Sequence, residues 1–188
     1  MKLDVRALGT FNRLAHEGAE HAAASLEQLT AVEPRVESTA INLVAKEDIN
    51  EVFDGREFVG VQIGLEGGLV GESALALDRK SARRLLENLP GEDSPEMTEG
   101  RISEVGNILI GGFLDGWADY LGTAIDITPP TYVEGSGMDI LPDGSSVWDD
   151  RDQVFAFTSE LKAADHSLEL VIYMLPDLDA FQKLVAGP

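Results

Sequence analysis

The chain repeats one order of helix-like and strand-like segments, and this repeat constrains the fold more than any other feature of the sequence. A long segment with helical apolar spacing, about 4–30, is followed by three strand-like segments and a short helical segment, about 79–88. The same order returns with a long helical segment, about 95–121, three further strand-like segments and a closing helix, about 176–185. Apolar residues three and four positions apart predict the helices, and alternation predicts the strands. We therefore expect two similar halves of the type α-β-β-β-α.

The two halves, about 1–90 and 94–188, are offset by about 91 residues, so that Phe11 of the first long helix aligns with Ile102 of the second. With 188 residues, of which 44% are hydrophobic, the chain is large enough for one domain with a sizeable core. We therefore expect a single domain over 1–188.

The long helix of the second half carries a polar pair opposite its apolar face. Ser94 and Pro95 predict its start, as N-cap and first-turn residues. Its apolar stripe is predicted to consist of Ile102, Val105, Leu109, Phe113, Trp117 and Tyr120. At ~100° per residue, Glu104 and Asn107 lie roughly opposite that stripe, and they are i, i+3 neighbours.

An ordinary solvated face is the simplest interpretation of such a pair, but the glycines of the same helix favour a functional one. They are Gly106, Gly111, Gly112 and Gly116. Each costs about 0.5–1 kcal/mol relative to alanine and is tolerated where another backbone approaches closely. These glycines depart from the usual residue preferences of a helix, and such departures are expected at functional sites.

The motif Glu104-Val105-Gly106-Asn107, followed after 22 residues by Pro130, resembles the Glu-x-x-Asn-x22-Pro signature of the CheC/CheX/FliY phosphatases of chemotaxis. Residues further along resemble CheC in particular: Gly122, Ile125, Asp126 and Pro129. Because of the internal repeat, the resemblance extends over most of the chain. It departs at Gly100, where the family usually has Asp or Ser, and the departure is expected either to weaken affinity or to shift the choice of partner. Neighbours that would compensate for it are Thr98, Arg101 and Ser103.

The resemblance also implies the arrangement of the two halves. In CheC, two such halves form one domain related by a pseudo-two-fold axis. This implies a largely antiparallel six-stranded sheet, with the two long helices side by side on one face. Helices gathered on one face of an antiparallel sheet are typical of the α+β class, so we expect an α+β domain.

A second site is expected on the first long helix, because CheC proteins often carry the Glu-x-x-Asn pair on both. The offset instead places Arg13 over Glu104 and His16 over Asn107. A cation cannot replace a carboxylate as the partner of a lysine, so we expect the first-half site to be degenerate and inactive. A catalytic base at His16 is the open alternative to a solvated side chain.

The residue inventory excludes several mechanisms. The chain has no Cys, so it has no thiolate nucleophile, and it has no P-loop motif. Its three histidines, at 16, 21 and 166, have no metal-binding spacing. A carboxamide can instead orient a water in line with a phosphoryl group. As the resemblance implies, Asn107 would orient that water in the active site of a phosphorylated CheY-type response regulator, and Glu104 would engage the regulator's lysine. No cofactor of this chain is expected, since Mg²⁺ would arrive with the partner.

A binding role is the competing interpretation. CheC proteins also bind the receptor deamidase CheD, so a chain with one degenerate pair would act mainly as an adaptor that regulates CheD. The intact Glu104 and Asn107 favour retained hydrolysis. A FliY-like motor role is less expected, because it usually comes with an added motor domain. An acidic domain without activity is the third possibility.

The charge balance limits the classes of partner and indicates the kind of source organism. The chain has 34 acidic and 14 basic residues and a net charge of -20. This excess disfavours nucleic acid and anionic membrane surfaces as partners. Because the acidic residues are dispersed, we expect a halophilic archaeon as the source, where salt screens self-repulsion. No apolar run approaches ~20 residues, and the first residues have no secretory pattern, so we expect a cytoplasmic protein.

Overall fold

The computed structural model describes residues 5–30, 32–45, 48, 57–91, 94–136, 139, 153–163, 165 and 168–186. Its helices are α1 (Val5–Thr30), α2 (Arg79–Asn88), α3 (Thr98–Leu121) and α4 (Leu178–Ala186). Its strands are β1 (Pro34–Ala45), β2 (Glu57–Gly67), β3 (Gly71–Leu77), β4 (Ile125–Ile127), β5 (Thr131–Ser136), β6 (Gln153–Ala163) and β7 (Glu169–Pro176). The order of elements is the one that the repeat predicts, except that the second half has four strands rather than three.

The strands form one sheet in the order β1-β6-β7-β3-β2-β4, with β5 also paired to β2. Each of these strand pairs is antiparallel. The predicted α+β class is therefore confirmed, but the sheet has seven strands rather than six. The additional strand arises because Pro129 and Pro130, which have no N–H to donate to a ladder, separate β4 from β5.

The outer strands of the sheet are exchanged between the two halves. β1 of the first half pairs with β6 of the second, with Ala45 opposite Gln153. β5 of the second half pairs with β2 of the first, with Thr131 opposite Gln62. β3 and β7 pair at the centre. Each half therefore completes the sheet of the other.

The two long helices pack against each other over an apolar core. The aromatic residues buried at the centre of this core are Phe11, Phe113, Trp117, Phe157 and Phe181. The ring centroids of Trp117 and Phe157 are 4.8 Å apart. The Trp117 indole N–H donates a hydrogen bond of 2.8 Å to the carbonyl oxygen of Leu14. This bond links α3 to α1, and the side-by-side arrangement of the long helices is confirmed.

Close approach explains the helix glycines. A Cβ at Gly106 would lie 2.9 Å from the Cβ of Val61 on β2 and closer still to one of its methyl groups. A Cβ at Gly116 would lie 3.0 Å from the Glu17 carbonyl oxygen of α1. Gly111 differs, because no atom of the described residues lies within 4 Å of its Cβ position. The prediction of close contact is right for the glycines that face α1 and the sheet, and wrong for Gly111, which faces outward.

The start of α3 differs from the prediction. Pro95–Met97 form a 3₁₀ turn, and Met97 takes the N-cap position without a side-chain hydrogen bond. Ser94 contributes its carbonyl oxygen, which accepts the Met97 N–H at 3.0 Å. The predicted hydroxyl cap is wrong because the turn continues directly into the helix. At the other end, Gly122 closes α3 with a φ of 63°, a left-handed conformation that glycine adopts readily.

Some expectations fall outside the described residues. The sequence also predicts a long acidic loop over 134–152, and most of this loop lies outside them, as does His166. Among the described residues, no helix is both long enough and apolar enough to span a membrane.

Candidate functional site

Glu104 and Asn107 both project to solvent from α3. The opposite side of this helix is buried against the sheet through Ile102, Val105, Leu109, Phe113 and Trp117. Only Tyr120 of the predicted stripe departs from it, with a relative exposure of 40%. Because the pair is separated by three residues, the carboxylate and the carboxamide share one exposed face. A well-packed helix holds that face in place, as a binding or catalytic constellation requires.

Positions without a side chain flank the pair. Gly100 lies one turn before Glu104, and Gly111 lies one turn after Asn107. For neither glycine does a described residue place a heavy atom within 4 Å of the Cβ position. The exposed stripe of α3 thus presents two polar side chains between two bare stretches of helix. Another molecule is able to approach the backbone closely on both sides of the pair.

Pro130, the last residue of the signature, lies in the segment between β4 and β5 and is half-buried. The neighbouring Thr128 fixes this segment to β2. Its N–H donates to the Gly64 carbonyl oxygen at 3.0 Å, and its hydroxyl accepts the Gly64 N–H at 2.8 Å. The 22 residues between Asn107 and Pro130 therefore include the end of α3 and the segment in which the chain returns to the sheet.

The first-half counterparts of the pair contact other parts of the chain. Arg13 and His16 are exposed on α1. The guanidinium carbon of Arg13 is 5.7 Å from the ring centre of Tyr120 at the end of α3, a cation–π geometry. Nε2 of His16 is 3.9 Å from a carboxylate oxygen of Glu20, an exposed pair of little energetic weight. This surface presents a cation and an imidazole where α3 presents a carboxylate and a carboxamide.

A second polar cluster joins β5 to α2. The Tyr132 hydroxyl donates a hydrogen bond of 2.5 Å to Glu134, and Arg79 lies 3.2 Å from the other oxygen of that carboxylate. Burial, together with the Glu134 carboxylate, raises the pKa of Tyr132 above its ordinary value. The same hydrogen bond lowers the pKa of Glu134. Across the described ranges, no three His, Asp or Glu residues converge so as to hold a metal ion.

The sequence has a curated relative that covers nearly its whole length. A protein of Halobacterium salinarum named "Putative CheY-P phosphatase CheC1" is 37% identical over 191 residues, which are 97% of this chain and 96% of the relative. This chain belongs to the CheC-type family of chemotaxis phosphatases. The family model described as "Chemotaxis phosphatase CheX" matches residues 59–148. The relative also supports the halophilic archaeal source predicted from the acidic composition.

Solved structures show the same CheC-type fold. FliY from Thermotoga maritima covers 99% of this chain, and the match includes 97% of that chain, with a TM-score of 0.74 and 18% identity. The CheX chain of a CheX–CheY–BeF3–Mg²⁺ complex from Borrelia burgdorferi covers 86% of this chain, and the match includes 96% of that chain, with a TM-score of 0.58 and 23% identity. At these identities the likeness establishes the fold.

In this CheC-type chain, Arg101 has a structural role that differs from the compensation for Gly100 expected from the sequence. It lies three positions before Glu104, with a relative exposure of only 9%. Its Nη2 lies 3.2 to 3.4 Å from three carbonyl oxygens at the end of α2, those of Leu86, Leu89 and Pro90. A cation at the C-terminal end of a helix is favourable for both hydrogen bonding and the helix dipole. Arg101 therefore ties the start of α3 to α2, and it does not fill the exposed position left open by Gly100.

The available sequence signal was a basic residue at helical spacing from the apolar stripe. Arg101 and Val105 are i, i+4 neighbours, which indicates that the arginine faces inward. An inward-facing arginine requires polar partners. The position of the end of α2 decides which partners the arginine finds. Tertiary packing sets that position, so residue spacing does not predict it.

Proposed function

We propose that this chain ends a chemotaxis signal by hydrolysing the aspartyl phosphate of a CheY-type response regulator. Its 37% identical relative has CheY-P phosphatase in its name, and a protein of the same fold was solved in complex with CheY. The observation that carries the proposal is the exposed Glu104 and Asn107 on one rigid helix face, with open positions on both sides. The proposed partner also implies a cytoplasmic location.

Asn107 is proposed to orient the attacking water. A carboxamide has both a donor and an acceptor at a fixed separation, so it can hold a water in one orientation. The water oxygen attacks phosphorus in line, the bond from phosphorus to the aspartate oxygen breaks, and inorganic phosphate leaves. The acceleration comes from positioning rather than from a covalent intermediate. Mg²⁺ bound by the regulator would neutralise the phosphoryl charge.

Glu104 is proposed to align the two proteins by engaging the regulator's active-site lysine. At 1 M salt the Debye length is about 3 Å, so distant charges contribute little and only a contact pair retains its effect. The bare flanks at Gly100 and Gly111 allow the regulator to approach closely enough for that contact. The proposal places one active site in the second half and none at Arg13 and His16.

The test is the loss of phosphate from a cognate regulator, labelled on its aspartate, in molar potassium chloride. Asn107→Ala is expected to lower the catalysed rate by about 10²-fold, because positioning errors at a reacting water have effects of this size. Glu104→Gln is expected mainly to weaken binding of the regulator. The matched controls are Asn42→Ala on β1 and Glu33→Gln between α1 and β1, both exposed and both expected to behave as wild type.

An adaptor role is the second candidate. It is favoured by the loss of the pair on α1 and by the absent side chain at Gly100. If neither wild type nor Asn107→Ala accelerates loss of the label, hydrolysis of that regulator is refuted. Retention of purified CheD by the chain would then support the adaptor role, and failure to retain it would refute that role as well.

A further inference from the structure

The few basic residues of this acidic chain are concentrated on α2. Of 14 Lys and Arg residues, four lie within six consecutive positions: Arg79, Lys80, Arg83 and Arg84. All four are exposed. Four cations and one carboxylate, Glu87, give the helix a net charge of +3, whereas the whole chain has -20. This is a local charge reversal on an otherwise anionic protein.

The position of these cations is unfavourable for the helix itself. Arg79 and Lys80 occupy the first turn of α2, which contains no acidic residue. The N-terminal end of a helix is positive, so each such cation destabilises the helix when salt is low. Asp78 already satisfies the helix start, because its carboxylate accepts the Ser81 N–H at 2.6 Å. The cations therefore do not stabilise the start of the helix. Arg79 pairs with Glu134 and Glu57 instead, and the charge of Lys80 indicates another use.

Two of the four cations are not engaged within the described structure. Arg79 lies 3.2 Å from Glu134, and Arg84 lies 3.3 Å from Glu87. By contrast, no ion pair connects Lys80 or Arg83 with another described residue. These two are i, i+3 neighbours and share one exposed face of the helix. Their charges are available to a partner without breaking an existing pair.

A pocket of about 290 Å³ lies beside the same helix, between α2, β2, β5 and the start of α3. Its apolar lining comes from Val59, Leu86 and Ile102, whose side chains are almost fully buried. Arg79, Arg83 and the Glu134 carboxylate also line it, and Arg79 pairs with that carboxylate, so Arg83 is the cation of the lining that is left for a ligand. Arg83 thus belongs both to the exposed basic face and to the wall of an apolar pocket. A ligand for this surface needs negative charge next to one apolar group.

We propose that the α2 basic face, defined as Lys80, Arg83 and Arg84, together with this pocket forms a docking surface for an acidic segment of a partner protein. The segment places carboxylates on the basic face and inserts one apolar side chain into the pocket. Arginine suits this contact, because its planar guanidinium pairs with a carboxylate through two hydrogen bonds. This surface acts independently of hydrolysis at Asn107.

Charge and salt favour a protein segment over nucleic acid or an anionic membrane. The cationic area is one short helix, and the charge of the rest of the chain repels an extended polyanion. Binding through phosphates also falls steeply as salt rises. An apolar anchor and contact pairs between guanidinium and carboxylate are less sensitive to salt, since buried groups are weakly screened.

The test uses the full chain in molar potassium chloride and four fluorescent probes. The first is a glutamate-rich peptide with one central phenylalanine. The second replaces phenylalanine by serine, the third replaces glutamate by lysine, and the fourth is a short DNA duplex. Lys80→Glu/Arg83→Glu is compared with Arg35→Glu/Lys183→Glu, which makes the same charge change at exposed positions on β1 and α4. The Asn107→Ala chain is included to separate this surface from hydrolysis.

The first peptide is expected to bind the wild-type and Asn107→Ala chains equally. The variant of the basic face should bind it at least about tenfold more weakly, which corresponds to 1.4 kcal/mol, while the control variant should not. The serine peptide should also bind more weakly than the phenylalanine peptide. The proposal is overturned if the phenylalanine peptide does not bind, if both double variants lose binding equally, or if the lysine peptide binds as well. It is also overturned if DNA binds in preference.

Discussion

Two glycines of α3 are expected to respond in opposite directions to the same substitution. Gly106 faces β2, where a Cβ would collide with Val61. Gly111 faces outward, and its Cβ position has no neighbouring atom within 4 Å in the described part of the chain. Gly106→Ala should therefore lower the free energy of unfolding, whereas Gly111→Ala should raise it. Both changes lie in the middle of one helix, so each serves as the control for the other.

The magnitude follows from two opposing contributions. Replacing a helical glycine by alanine stabilises by about 0.8–1 kcal/mol, and Gly111→Ala should show this gain without opposition. At Gly106 the new methyl group must displace Val61, which has no exposed surface. Overpacking of this kind costs about 1–3 kcal/mol, which leaves a net loss of about 0–2 kcal/mol. The two variants should thus differ by roughly 1–3 kcal/mol.

The assay is equilibrium unfolding by urea in molar potassium chloride, with thermal unfolding as a second measurement. For a chain of this size, 1 kcal/mol corresponds to about 2–4 °C in Tm. If Gly106→Ala proves as stabilising as Gly111→Ala, the close contact between α3 and the sheet is not as described. A destabilised Gly111→Ala would show instead that the outward face of α3 is covered.

Three further outcomes are expected. Arg101→Leu should lower the free energy of unfolding, measured with urea, by about 2–4 kcal/mol, because the charged hydrogen bonds to the carbonyl oxygens at the end of α2 disappear. A wild-type urea midpoint for this variant would show that these hydrogen bonds contribute nothing to stability. Burial raises the pKa of Glu72, so its ionised form weakens the folded state once the pH rises above the unfolded value of about 4.3. Glu72→Gln should consequently raise Tm at neutral pH but not at a pH near 3, and an equal gain at both would refute the cause. The net charge of -20 should make the urea midpoint rise with potassium chloride, and a flat salt dependence would refute self-repulsion.

Much of the fold follows from apolar spacing. The long amphipathic helices gave clear signals, since Phe11, Leu14 and Trp117 recur at helical spacing and are buried. The number of strands did not follow, because it depends on whether the segment after Gly122 pairs as one strand or two. The cap of α3 was also missed. Ser94 has the right residue type, but a 3₁₀ turn competes for the same backbone groups.

The polar pair of the candidate site was visible in the sequence, whereas its surroundings were not. Glu104 and Asn107 share a face because of the period of a single helix, and this period can be read from the sequence. The bare flank at Gly111 appeared to be one more site of close packing, because glycine spacing alone does not tell which side of a helix meets another element. The inward course of Arg101 depends on the position of α2, which is set by tertiary packing.

The exchange of outer strands has a consequence for synthesis. Ala45 on β1 pairs with Gln153 on β6, so β1 leaves the ribosome more than a hundred residues before its partner. At 5–20 residues per second, its hydrogen-bonding edge stays without that partner for roughly 5–20 s. An unpaired edge is an aggregation hazard, and dispersed negative charge opposes it by keeping nascent chains apart. Deletion of the half that carries Arg13 and His16 would leave β6 without its neighbour, so that half remains necessary to the molecule whether or not it performs any chemistry.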